Sequence, residues 1–215
     1  MINLIRKKIL LILIKFLIKL HIFLYNIINS LIVKSNNGVH PKHKITNYHQ
    51  FFIQNIDKDS SVLDIGCGIG ALSYDVAKKA KLVIGIDINK KFIDIASQKF
   101  KKDNITYIFD NAITYKFDNS FDYIILSNVL EHIKDRIKFL NKIKKLSRII
   151  LLRVPCLNRD WFTLFKKDLG LDYRLDQSHY IEYTVESLTK ELNAAGLQLI
   201  SYSIQFGEIW AIIKI

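Results

Sequence analysis

The sequence predicts an α/β fold: a doubly wound, mostly parallel sheet of seven strands, closed by a C-terminal antiparallel β-hairpin and preceded by an N-terminal helical extension. Three observations predict it. Short apolar runs at 61–65, 82–87, 105–109, 123–127 and 148–154 lack polar alternation, as strands covered on both faces do. Helical patterns lie between most of them, the rhythm of βαβ units. Two further β-rich runs, 198–204 and 208–213, end the chain and are joined around Gly207 as a hairpin.

The elements follow in order. Residues 2–34 contain no Gly or Pro and form one long helix. Lys8, Lys15, Lys19, Asn26 and Ser30 are spaced 7, 4, 7 and 4 apart, which sets them on one narrow stripe, with Ile, Leu, Phe and Val around most of the remaining cylinder. Such a helix lies in a membrane interface with its lysines reaching the headgroups, packs on the body or on a second copy as a homodimer, or spans the bilayer. The interfacial reading is preferred. Lys15 and Lys19 interrupt a span, and the longest stretch free of Lys and Arg, residues 20–33, is shorter than the ~18 to 20 residues a span needs. Pro41 opens a second helix running to residue 56. The predicted domains are therefore a helical extension, 1–56, and a sheet domain, 57–215.

Within the sheet domain, helices are expected at 71–80, at 90–100 behind Asn89 as N-cap, and at 131–146. After Pro155 the pattern turns irregular, with a short helix at 161–169. Thr184 then caps a helix closed by Gly196.

Charge is unevenly placed along these elements. The 215 residues carry a net +12, yet the eight basic residues before Asp57 face no acid, and the rest holds 24 basic and 20 acidic side chains. A nearly balanced body argues against nucleic acid as partner, and a basic apolar extension points to an anionic membrane surface on the cytoplasmic side. Cys67 and Cys156 show no metal-ligand spacing and read as reduced thiols of a cytoplasmic protein, with no metal expected.

The chemistry concentrates at Asp64-Ile65-Gly66-Cys67-Gly68-Ile69-Gly70, where a strand ends in an acid and a glycine loop leads into a helix. Alone, Gly66-x-Gly68-x-x-Ala71 also satisfies a dinucleotide fingerprint, with Asp87 where a ribose-binding acid belongs. Further markers follow in order: Asp87 ends the second strand, Asp110-Asn111-Ala112 follows the third, and Asn128-Val129-Leu130-Glu131-His132 follows the fourth. From about residue 60 onward the chain resembles class I S-adenosylmethionine-dependent methyltransferases, in a type-11-like branch. The resemblance implies a Rossmann-like fold, a methyl transfer activity and S-adenosylmethionine as cofactor. It places Asp64, Gly66, Gly68 and Gly70 at the amino acid end of the cofactor, Asp87 at the ribose, Asp110, Asn111 and Ala112 at the adenine, and Asn128 beside them.

His132 and His179 are the candidate general bases. Residues 153–183 form the candidate acceptor segment, with Arg153, Asp160, Trp161, Arg174 and Tyr180 as its contacts; loops of this length inside compact domains usually carry function. That segment, with Phe206-Gly207-Glu208-Ile209-Trp210, resembles a subgroup associated with surface-glycan biosynthesis, which implies a small-molecule or saccharide acceptor, lipid-linked if the first helix binds a membrane. Three alternatives stay open at this level: an RNA-directed methyltransferase, a nicotinamide-dependent oxidoreductase, and a non-enzymatic S-adenosylmethionine-binding module.

Overall fold

A computed structural model describes residues 2–36 and 40–215. Seven strands form one sheet in the order β3-β2-β1-β4-β5-β7-β6. They are β1 (Ser61–Ile65), β2 (Leu82–Asp87), β3 (Ile105–Phe109), β4 (Tyr123–Ser127), β5 (Ile149–Pro155), β6 (Gln198–Gln205) and β7 (Glu208–Lys214). The first five pair in parallel, whereas β7 runs antiparallel to both β5 and β6. The predicted doubly wound sheet and closing hairpin are therefore what the chain forms.

The uninterrupted apolar strands serve two cores. Leu63, Ile65, Ile124, Leu126, Ile150 and Leu152 face a cluster completed by α6 (Arg136–Ile143) and α8 (Val185–Ala194). Val62, Val83, Tyr123, Ile125 and Leu151 face the other, with α3 (Tyr48–Gln54) and α4 (Ala71–Val76). Because successive strand side chains alternate between faces, a strand buried on both sides must be apolar throughout. Helix α5 (Lys90–Lys99) packs against β2 and β3, and the side chain of Asn89 caps it by accepting from Lys91 N.

Two expected helices are broken. The segment after Pro41 divides into α2 (Lys42–Thr46) and α3 at Asn47, whose φ of 46° stops the first and starts the second. The expected helix 131–146 is a single 3₁₀ turn, Leu130–His132, followed by extended Ile133 and then α6, started by Asp135 accepting from Lys138 N. An N-cap acid starts α6 afresh and leaves His132 outside it.

The chain divides into two compact units, Tyr48–Arg159 with Arg174–Ile215, and Met1–Asn47 with Asp160–Tyr173. The first holds the sheet. The second holds α1 (Ile2–Ser35), α2 and α7 (Trp161–Asp168), with His21 of α1 edge-on to Phe162 of α7. Most of α1 is apolar and exposed, including Ile12, Phe16, Phe23 and Leu31, while Ile18 is buried and Lys15 and Asn29 are half-buried.

Candidate functional site

The site forms at the carboxyl edge of β1, β2, β3 and β4, where parallel strands release their loops. At the end of β1, Asp64 is fully buried and its Oδ2 accepts from Ser73 Oγ of α4 at 2.5 Å. Burial pushes its carboxyl up to about 7; the Ser73 hydrogen bond opposes that rise and the Asp87 charge adds to it.

The loop beyond is tied to β2 through Gly66 N and Cys67 N, which donate to Ile86 O at 2.7 and 3.2 Å. Gly66 is required by close approach, because a Cβ there would stand 2.5 Å from Val129 Cγ2. Gly68 is different. A Cβ on it would meet nothing within 4 Å, so the backbone, at φ 56°, faces open space that a ligand can enter. Gly70, at φ 85°, stands at the N-cap of α4.

Asp87 anchors that loop to its own strand. Its Oδ2 accepts from Gly68 N at 2.9 Å and its Oδ1 from Asn89 N at 2.8 Å. At the end of β3, Asp110 Oδ1 accepts from Asn111 N at 2.6 Å, and Asn111 Oδ1 accepts from Ile113 N at 2.9 Å. Lys142 of α6 fixes this turn by donating to the carbonyls of Ala112, Ile113 and Tyr115 at 3.0, 2.7 and 2.6 Å. Sequence reasoning missed Lys142, as well as Ile88 and Phe109, which are exposed apolar side chains beside Asp87 and Asp110. The available signal was an apolar residue flanking each strand-end acid.

The acceptor candidates part ways. His132 and His179 come together, their ring centroids 4.7 Å apart. His132 is exposed, and its imidazole is held below its ordinary value first by partial burial and then by the neighbouring His179. His179 is buried, with Nδ1 3.3 Å from Glu182 Oε1. Glu131 is fully buried, and burial pushes its carboxyl up to about 8.

Arg153 is no open anion receptor. It is buried, its Nε and Nη2 donate to Glu208 at 2.7 and 3.0 Å, and its guanidinium stacks 3.7 Å from the Tyr48 ring centroid. Asn128, at φ 56°, joins the same network: its amide donates to Arg153 O at 3.2 Å and accepts from Arg153 Nη2 at 3.1 Å. Arg174 donates to His179 O at 2.9 Å and so braces the histidine loop. Tyr180 is exposed, and its backbone N–H donates to Glu131 O at 2.8 Å. Asp160 and Trp161 belong to the other unit, where Asp160 caps α7 through Thr163 N at 2.6 Å and Trp161 is 75% exposed.

A glycine loop open at Gly68, a buried acid behind it and acids ending the next two strands are the arrangement that the resemblance to class I S-adenosylmethionine-dependent methyltransferases predicts. The residues present fit the cofactor, since the open backbone at Gly68 admits a chain and the buried Asp64 carboxylate favours a nearby cation. Comparison with known proteins agrees. The profile of the family described as "Methyltransferase domain" matches residues 40–202, and the chain belongs to that family.

Among curated proteins, an uncharacterized methyltransferase of Schizosaccharomyces pombe is 30% identical over 47% of this chain and 39% of its own length. Ribosomal RNA small subunit methyltransferase A of Mesomycoplasma hyopneumoniae is 32% identical over 46% of this chain and 40% of its own. Ubiquinone biosynthesis O-methyltransferase of Coxiella burnetii is 38% identical over 36% and 35%. The chain thus spans 40% or less of the length of these relatives. Among solved structures, magnesium protoporphyrin IX methyltransferase of Synechocystis with bound SAH superposes with a TM-score of 0.65 at 17% identity, covering 88% of this chain and 99% of that one.

Proposed function

We propose that the protein transfers a methyl group from S-adenosylmethionine to a small-molecule or saccharide acceptor, a lipid-linked glycan in particular, at the cytoplasmic face of a membrane. The observation that carries the donor half is the open Gly68 backbone between the Asp64 and Asp87 carboxylates. When bound, the cofactor supplies an electrophilic methyl on a sulfonium. The chain's own residues bind and align it. Asp64 would offer a carboxylate to the cationic end, Asp87 would offer oxygens to the ribose, and the Asp110-Asn111-Ala112 turn, held by Lys142 and flanked by the exposed side chains of Ile88 and Phe109, would receive the adenine. Alignment supplies much of the rate, because a held nucleophile at near-attack distance saves the entropy of encounter.

At the acceptor end, His132 and His179 stand together just beyond β4, and Tyr180 is an exposed ring of the same loop. Arg153, Arg174 and Asn128 act as bracing side chains in this reading.

The membrane half rests on α1. By length and composition its segment Ile5–Ser35 is long and apolar enough to cross a bilayer, a correction to the expectation drawn from residues 20–33 alone. Its exposed Ile, Leu and Phe side chains, with basic neighbours and no acid, suit an anionic lipid surface. In the same unit Trp161 is exposed at the start of α7, and Lys166 of that helix lies 5.5 Å over the Phe162 ring, aromatic and cationic groups of the kind found in the headgroup zone.

An RNA acceptor is the second reading, favoured by the ribosomal RNA relative. Incubation of the full chain with methyl-labelled cofactor and separated cell fractions decides between them. Label in the lipid and glycan fractions supports the proposal, and label confined to RNA refutes it.

A further inference from the structure

We propose that Glu131, His132 and His179 form a site for a divalent transition-metal ion such as zinc or manganese, with two imidazole nitrogens and one carboxylate as ligands and the remaining positions open. One ligand atom from each of the three lies within 4.8 Å of those of the other two. Bonds of about 2.0 to 2.2 Å draw such atoms to roughly 3 to 3.5 Å, so an ion tightens the cluster.

The hydrogen bonds around the cluster leave acceptors facing one another. Ser178 Oγ gives its proton to Asp176 Oδ1 at 2.6 Å, so toward His132 Nδ1, 3.0 Å away, it accepts. His132 therefore carries its proton on Nδ1 and its lone pair on Nε2. His179 Nδ1 faces the Glu182 carboxylate at 3.3 Å, which fixes the same tautomer and frees its Nε2. Among the described residues, neither oxygen of the fully buried Glu131 has a hydrogen-bond partner.

One ligand atom from each of two imidazoles and the Glu131 carboxyl thus lie close together, the Glu131 oxygens have no donor, and a cation satisfies all three. The carboxylate or hydroxyl behind each imidazole is the arrangement that orients metal-bound histidines. The arginines around the cluster are engaged elsewhere: Arg153 pairs with Glu208, Arg159 with Glu182, and Arg174 donates to His179 O. The two imidazoles suit zinc and related ions and the carboxylate also accepts manganese, whereas magnesium and calcium prefer all-oxygen sets.

The cluster is buried at Glu131 and exposed at His132, so the open positions face solvent at the end of β4. Resting on the methyl transfer reading, those positions take the oxygen of a hydroxyl acceptor. The hydroxyl releases its proton to water, its oxygen bonds to the methyl carbon, and the carbon–sulfur bond breaks to leave a neutral thioether.

The test uses full-length protein stripped with chelator and titrated calorimetrically with zinc and with manganese ions, without cofactor. One ion per chain is expected, with Glu131→Gln and His179→Gln each weakening binding at least about tenfold. Should His179→Gln fail to fold, nitrogen-15 shifts of the imidazole Nε2 atoms in the unaltered protein report the bond directly, and both move when the ion is added. Binding that survives Glu131→Gln unchanged, or unmoved imidazole shifts, overturns the site. Because the readout needs no methyl transfer, a metal-binding but inactive protein supports the site while refuting the enzymatic reading.

Discussion

Asp64 carries the most informative titration in the molecule. Its folded carboxyl stands at about 7 against an ordinary 3.8. The native state therefore holds a proton that the unfolded chain has lost, and the stability this group contributes is full below pH 3.8 and lost as pH rises through about 7. A cationic ligand reverses the preference by favouring the carboxylate. Affinity for S-adenosylmethionine should then be about tenfold stronger at pH 8 than at pH 6, and Asp64→Asn should flatten that dependence in calorimetry. Gly68→Ala should fold with a backbone cost of about 1 to 2 kcal/mol, since its Cβ meets nothing, yet lose most cofactor affinity. Asp64 and Gly68 were legible in the sequence, because spacing alone sets the acid at the end of β1 and the glycine in the loop after it. The pairing of Arg153 with Glu208 was not, since 55 residues separate them and only the antiparallel register of β5 and β7 brings them together.

At the scale of elements, each strand was legible because burial on both faces demands an uninterrupted apolar run. The helix after β4 was misread for a local reason. Glu131 through Leu146 has helical composition, but Asp135 caps a new start and Ile133 takes an extended conformation. Asp135→Ala should cost about 1 kcal/mol in a denaturant melt. The buried pair tying β5 to β7 is a stronger lock. Replacing Glu208 with Gln strands the Arg153 guanidinium and should cost about 3 to 5 kcal/mol, read as a fall in the unfolding midpoint.

Across the whole molecule, the charge asymmetry of the sequence maps onto α1, whose exposed apolar surface no described contact explains. Replacing Ile12, Phe16 and Phe23 with Ser in the full chain should abolish flotation with anionic liposomes while leaving cofactor binding intact; unchanged flotation would remove the membrane from the proposed function. His179, far along the chain from Glu131 and His132, shows what sequence alone conceals: adjacency in one cluster is a product of the sheet topology. The donor is the claim on which the rest depends, and calorimetric titration of the full chain with S-adenosylmethionine and with NAD tests it most directly. Saturable heat with S-adenosylmethionine, weakened by Asp87→Asn, and none with NAD is the predicted result. Heat with NAD and none with S-adenosylmethionine would contradict it.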